Sequence, residues 1–431
     1  MVKDEDIFKA FRLCLRHKAS SPSATKYWFG YEEDLLRLAD EINARTYRPS
    51  VSTTFIVSRP RLREVFAANF RDRIVHHYVA MRLEPLFEEM FGGRTFNCRV
   101  GKGVLFGVNT LASDMKACSH GYTRDVWVVK FDLKGFFTSI DKRLLDRMLL
   151  RFIRERYKGS DSEDVAWLTH IIATHCPEKD CVRRSPSDMW DRLPPGKSLF
   201  TNGENKGLPI GNLSSQHFAN FFLHGLDMLL ERLGYEHHGR YVDDVYYMKE
   251  CASESDRQKM LHDMGIIRRW LRFHLHVTVH PDKFYFQHYK KGVQFTGAVV
   301  KPGRVYTGSR TVSSVMGVIV GMNRHGAESP RILERYVQRA NSYLGVLRHY
   351  NAYGIRRRLV SMISQDIWPR IYVKGHCDSI HIRSNRRNGM IYRYGDHTLT
   401  ITEHNGTLVS EWTPAKTDSE KEINRIRKSV T

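Results

Sequence analysis

Long apolar runs are missing from this 431-residue sequence, in which no stretch of about 18 apolar residues occurs, so a membrane-spanning helix is not expected. No signal peptide opens the chain, and a cytoplasmic location is therefore expected. Cysteine is scarce: the seven, at positions 14, 98, 118, 176, 181, 251 and 377, are odd in number and scattered, which suits free thiols in a reducing compartment. His175, Cys176 and Cys181 lie close in sequence, but no second pair at ligand spacing completes a zinc site. Acidic residues are also in short supply, with 47 Asp and Glu against 68 Lys and Arg, a net charge of +21. That excess fits a polyanionic partner such as nucleic acid, with a merely solvated basic surface as the alternative. The basic runs RPRLR (59–63), RDR (71–73), IRRRL (355–359) and IRSNRR (382–387) are spread along the chain and are not confined to a tail.

The chain is longer than one hydrophobic core usually supports, so two or three packed subdomains are expected. Up to residue 50, IFKAFRLCLRHK and EEDLLRLADEINARTY carry apolar residues at three and four spacing and read as helices. A β-rich segment, TTFIVSRPRLREVFAANF, precedes a helix from about Asp72 to Phe91 that Pro85 is expected to bend. The glycines of TFNCRVGKGVLFG faintly resemble a dinucleotide loop, but neither the preceding strand nor the downstream acid is in place. VWVVKFDL (126–133) reads as a buried strand ending on Asp132 and leading into a helix. A polar, Pro-rich connection (176–204) separates this from GLPIGNLSSQHFANFFLHGLDMLLERL, a loop running into a long helix. The hairpin YEHHGRYVDDVYYMKE, a helix from about Ser253 to Phe273 and a β-rich stretch through FTGAVVKPG follow. Beyond Thr311 the sequence is helical and basic to about Ile371, and short strand patterns (MIYRY, HTLTITEH, GTLVSEW) precede a charged tail.

The chemistry concentrates on aspartates. Asp243 and Asp244 are adjacent in RYVDDVYYM, flanked by strand-forming Tyr241 and Val242 on one side and Val245, Tyr246 and Tyr247 on the other. An isolated Asp pair is commonly a solvated turn. Here, if strand-ending Asp132 is a neighbour, three carboxylates converge at a sheet edge, and their repulsion is relieved by hard divalent cations. Such an arrangement suits two-metal chemistry, one ion activating a hydroxyl and the other stabilising a leaving pyrophosphate.

Tyr241-Val242-Asp243-Asp244 is similar to the YxDD signature of reverse transcriptases, and Phe131-Asp132-Leu133-Lys134-Gly135-Phe136-Phe137 resembles their first catalytic motif. The ordered likeness runs from about residue 50 to residue 310. It implies an α+β right-hand polymerase: an N-terminal helical extension (1–50), fingers (51–125), a palm with inserted fingers elements (126–300), a helical thumb (301–375), and a C-terminal tail (376–431) without a counterpart.

The resemblance also implies roles. Asp132, Asp243 and Asp244 would be metal ligands for two Mg²⁺ ions, and Lys283 in HPDKF would reach the triphosphate and protonate the departing pyrophosphate. Arg61 and Arg63 would hold the incoming dNTP with fork-shaped guanidinium donors, although an exposed basic strand is the alternative for Arg61. Phe137 would exclude a ribose 2′-hydroxyl, with plain core packing as its alternative. Phe295, Thr296 and Gly297, in QFTG, resemble the primer grip, and the following basic helices would track a duplex backbone.

Within the family, Leu208 to Gln216 (LPIGNLSSQ) places Ile210 where intron and retron enzymes usually carry glutamine and Gln216 where they carry proline. That form resembles the reverse transcriptases of diversity-generating retroelements, as do FRDRIVHHY and FTGAVVKPGR. An aliphatic Ile210 cannot hydrogen-bond near the nascent pair as glutamine could, so an error-prone enzyme is expected, and the resemblance implies that its mistakes fall opposite template adenines. Ile210 as simple packing is the alternative. Template RNA, the cDNA/RNA duplex, dNTPs and a small basic accessory protein would be partners. Two other readings remain: a defence reverse transcriptase copying its own noncoding RNA, and an RNA-binding scaffold on an inactive polymerase fold.

Overall fold

The computed structural model describes residues 1–16, 21–58 and 61–383, together with the backbone of the strands 389–394, 397–404 and 407–413; the charged tail falls outside the described residues. Of the helices Asp4–Leu15, Pro22–Trp28 and Tyr31–Asn43 that open the chain, the first and third lie where three- and four-residue spacing asks for them. Asp4–Leu15 buries Ile7, Ala10, Phe11 and Cys14, and Tyr31–Asn43 buries Leu35, Leu38, Ala39 and Ile42. Asp4, Glu5 and Asp6 in the first turn complement the positive end of the helix dipole. Asp4–Leu15 packs on Tyr31–Asn43 and on the long helix Phe70–Phe91. That helix is capped by Asn69, whose side chain accepts from the Arg71 N–H, and it runs through Pro85 without interruption.

The first ten strands among the described residues are, in chain order, β1 (Ser52–Val57), β2 (Arg63–Ala67), β3 (Val126–Leu133), β4 (Cys181–Arg183), β5 (His237–Tyr241), β6 (Asp244–Glu250), β7 (Val279–His288), β8 (Val293–Phe295), β9 (Ala298–Lys301) and β10 (Arg304–Thr307). The central sheet has the order β5-β6-β3-β7 and is antiparallel throughout. Because β3 is inside this sheet, Val126, Val128, Val129, Phe131 and Leu133 are all buried, while Lys130 and Asp132 reach the polar end. The helices Lys142–Arg156, Ser162–Thr174 and Leu213–Arg232 share one core with this sheet and with Phe70–Phe91, built on residues such as Phe87, Phe131, Leu149, Phe222 and Leu226.

A second sheet has the order β2-β1-β4, with β1 and β4 parallel and Thr53 opposite Val182. The polar connection 176–204 is thus not merely a linker, because three of its residues complete that sheet. β8, β9 and β10 form a three-stranded meander.

The chain divides into two compact units, Met1–Tyr306 and Thr307–Thr431. In the second, the helices Ser309–His325, Pro330–Leu347 and Tyr353–Ser361 bury Val315, Ile319, Leu333, Leu344 and Leu359 in a separate core with the hairpin β11 (Ile371–Lys374) and β12 (Ser379–Ile382). Asn341 fixes the hairpin by pairing with both backbone groups of Ile380. The strands β13 (Gly389–Tyr394), β14 (His397–His404) and β15 (Thr407–Thr413) form an antiparallel meander. Among the described residues, no helix is long and apolar enough to cross a membrane.

Candidate active site

β3 delivers Asp132 to the polar end of the central sheet, and its register puts Asp132 directly opposite Asp244, the first residue of β6. β5 and β6 are joined by Val242 and Asp243 alone, since Tyr241 already pairs with Asp244. Val242 takes a left-handed conformation (φ 58°), which a β-branched residue rarely adopts. The hairpin therefore brings all three acids named by the sequence to one sheet end.

Burial, and next the charge of Asp132, push the Asp243 carboxyl up to about 6. Burial also raises Asp244, opposed by the ammonium of Lys130, which forms an ion pair with Asp244 Oδ1. Lys283 Nζ lies 2.7 Å from Asp132 Oδ2. The other Asp132 oxygen, Oδ1, is buried without a hydrogen-bond partner. Two lysines thus offset part of a cluster of three carboxylates.

Among the described residues, no three His, Cys, Asp or Glu side chains form a ready-made metal cage. The donors at hand are nevertheless carboxylate oxygens, the set that hard cations such as Mg²⁺ take. An orphaned buried oxygen on Asp132 and a carboxyl on Asp243 raised by burial and then by its neighbour's charge are what a divalent cation would satisfy.

The QFTG turn reaches the same place. Phe295 pairs with Ala298 across Thr296 and Gly297, both at positive φ (46° and 90°). The Thr296 N–H points at Asp244 Oδ2, 3.5 Å away. The buried Phe295 ring meets Tyr246 edge-on at 5.2 Å between centroids, fixing the turn on β6.

The loop 207–212 is stitched on two sides. Leu208 N–H donates to the Phe137 carbonyl at 2.7 Å, and the Phe66 N–H of β2 donates to the Ile210 carbonyl at 2.8 Å. Gly211 (φ +123°) lies so close to β2 that a Cβ there would come within 2.5 Å of the Phe66 carbonyl oxygen. Half-buried Phe137 packs edge-on against Phe136. Gln216, at the start of the helix Leu213–Arg232, accepts from the Cys98 thiol. Arg61 and Arg63 are both exposed, Arg63 as the first residue of β2. Among the described residues neither makes an ion pair, so both guanidinium groups are available to solvent.

Lys130 escaped the motif reading, although its signal is in the sequence. On a strand, residues two apart share a face, so Lys130 in VKFDL had to accompany Asp132, and it lies diagonally across from Asp244. Asn97 and Arg240, which hold the hairpin turn from behind, carry no such signal.

Paired acids thus stand at the end of an antiparallel sheet that is backed by helices and approached by a tight turn. The profile of the family described as reverse transcriptase (RNA-dependent DNA polymerase) matches residues 59–300, more than half of the chain, which belongs to that family and has its α+β right-hand fold. Among curated proteins, the chain is 28% identical over 199 residues to Protein YkfC of Escherichia coli strain K12, covering 46% of this chain and 45% of that protein. It is 23% identical over 175 residues to Nuclear intron maturase 1, mitochondrial, of Arabidopsis thaliana, covering 38% of this chain and 23% of that one. The chain thus spans less than half the length of these relatives. Among solved structures, telomerase from Candida albicans in complex with a fragment of telomeric RNA aligns with 80% of this chain and 67% of its own, at 9% identity and a TM-score of 0.42.

Proposed function

We propose that the chain is an RNA-directed DNA polymerase that copies a template RNA into cDNA from deoxynucleoside triphosphates. The observation that carries this reading is the convergence of Asp132, Asp243 and Asp244 at one sheet end within reach of Lys130 and Lys283. Asp132 and Asp243 would hold two Mg²⁺ ions, with Asp244 beside them. When bound, these ions supply activation of the primer hydroxyl and charge stabilisation at the leaving pyrophosphate. Lys283, whose side chain is 38% exposed, would turn from Asp132 towards the triphosphate and give a proton to the departing group. Arg61 and Arg63 would clamp the triphosphate from β1–β2, Phe137 would exclude the 2′-hydroxyl, and Phe295, Thr296 and Gly297 would seat the primer end. On this reading residues 51–125 are fingers, 126–300 palm and 301–375 thumb.

We further propose that synthesis is error-prone opposite template adenines, as in a diversity-generating retroelement, with a small basic protein as accessory. The support is local. Ile210 offers no side-chain hydrogen bond to the nascent pair, and its backbone is tied to β2, the strand proposed to hold the incoming nucleotide.

The test is primer extension by the full chain on a defined RNA template with dNTPs and Mg²⁺, followed by sequencing of the products. Products that are lost in Asp243→Ala and carry substitutions opposite adenine are expected. Ile210→Gln is expected to reduce those substitutions; an unchanged error spectrum would remove the role given to Ile210, and faithful wild-type products would favour a defence role instead.

A further inference from the structure

In the hairpin turn that carries Asp243, both backbone polar groups of Val242 are held by side chains, one from β5 itself and one from outside the hairpin. The Val242 N–H donates to Asn97 Oδ1 at 2.8 Å, and the Val242 carbonyl accepts from Arg240 Nη1 at 3.2 Å. Arg240 is completely buried, with its fork closed on Asp227 (Nε to Oδ1 2.9 Å, Nη2 to Oδ2 2.7 Å). Its remaining N–H groups reach Thr95 Oγ1, the Asn220 carbonyl and Asn220 Oδ1. Asn97, 1% exposed, is itself fixed because its carbonyl accepts from Asn220 Nδ2 at 3.0 Å. The backbone around it is laid along β5: Arg240 N–H donates to the Arg94 carbonyl and Phe96 N–H to the Arg240 carbonyl, both at 2.9 Å.

A buried guanidinium and a buried amide therefore converge on one residue, and that residue is the β-branched Val242 at φ 58°. A left-handed valine persists only where its surroundings over-determine it. We infer that Asn97 and Arg240 are positioning residues that hold Val242 in this conformation and so set where the Asp243 carboxylate points. The inference rests on the polymerase reading for its consequence in catalysis, but not for the clamp itself.

Two readouts on the full-length protein separate these. In amide hydrogen exchange, the Val242 N–H is expected to be protected in the wild type and to exchange at least about tenfold faster in Asn97→Ala, while the core of β3 stays protected. Equal rates at Val242 in the two proteins would overturn the clamp, whether or not the chain polymerises DNA. In single-nucleotide incorporation, Asn97→Ala is expected to lower kcat by about 10- to 100-fold with KM for the dNTP within about twofold, because misplacing a reacting group acts on the chemical step.

The decisive comparison uses glycine, which accepts a left-handed φ freely. In a Val242→Gly background the further loss caused by Asn97→Ala should shrink to less than about threefold. The same fold-loss in both backgrounds, or a change confined to KM, would overturn the positioning role. A wild-type chain without polymerase activity but with the exchange behaviour above would refute the proposed function and leave the clamp standing.

Discussion

Lys130 and Lys283 each bond a different carboxylate of the acid cluster, Asp244 and Asp132 respectively. Removing one should leave an uncompensated charge in a largely desolvated place, a cost of about 1–3 kcal/mol. Lys130→Met is thus expected to lower the thermal midpoint measured in EDTA. Added Mg²⁺ should raise that midpoint more in the variant than in the wild type, because the cation restores the missing positive charge and stabilises by mass action. An equal rise in both proteins would mean that Lys130 and the metal do not share Asp244. The three aspartates were legible in the sequence because strand flanks turned an ambiguous Asp pair into a hairpin, and Lys130 would have been legible from strand periodicity. Asn97 was not, since its role comes from a contact across 145 residues of sequence.

At the scale of elements, the helix Phe70–Phe91 is tied at its start by a buried acid. Asp72, the middle residue of the basic run RDR, is 2% exposed and accepts from the Tyr47 hydroxyl and the Ser50 N–H, both at 2.9 Å. Burial nevertheless dominates and pushes its carboxyl up to about 6, above the value of about 3.9 expected in the unfolded chain. Between those values the folded protein binds a proton that the unfolded chain does not, so this group's contribution to stability increases as pH falls from about 6 to about 4. Asp72→Asn should remove that contribution. Urea midpoints of the two proteins between pH 4 and 7 test this, and parallel curves would show that Asp72 titrates normally.

Elements also mark where the sequence ceases to be readable. The helices and the hairpin declare themselves through period and turn residues, whereas β4 has three residues and no alternation. Its parallel partner β1 lies 129 positions earlier, and nothing local encodes that pairing.

For the whole molecule, the excess of 21 positive charges is not matched by internal pairing at Arg61 and Arg63, and exposed arginines recur on the second unit at Arg331, Arg335 and Arg339. Binding of a structured RNA should therefore weaken by at least about 100-fold between 50 and 200 mM salt, with a linear log–log slope from counterion release. A flat response in a filter-binding titration would reassign the charge to solubility. The α+β class was visible before the structure through the family resemblance, and periodicity marked several of the helices and strands; the separation into two cores at Tyr306 is a matter of long-range packing that periodicity does not carry.

The order of strands in the central sheet has a consequence for biosynthesis. β3 emerges from the ribosome early, yet its two neighbours are β6 and β7, and the latter ends at His288. At roughly 5–20 residues per second, β3 waits about 8–30 seconds for β7 to be translated. A nascent chain that ends before Val279 lacks one edge of the sheet and the lysine paired with Asp132, so the charges around that carboxylate are balanced only once this late strand is in place.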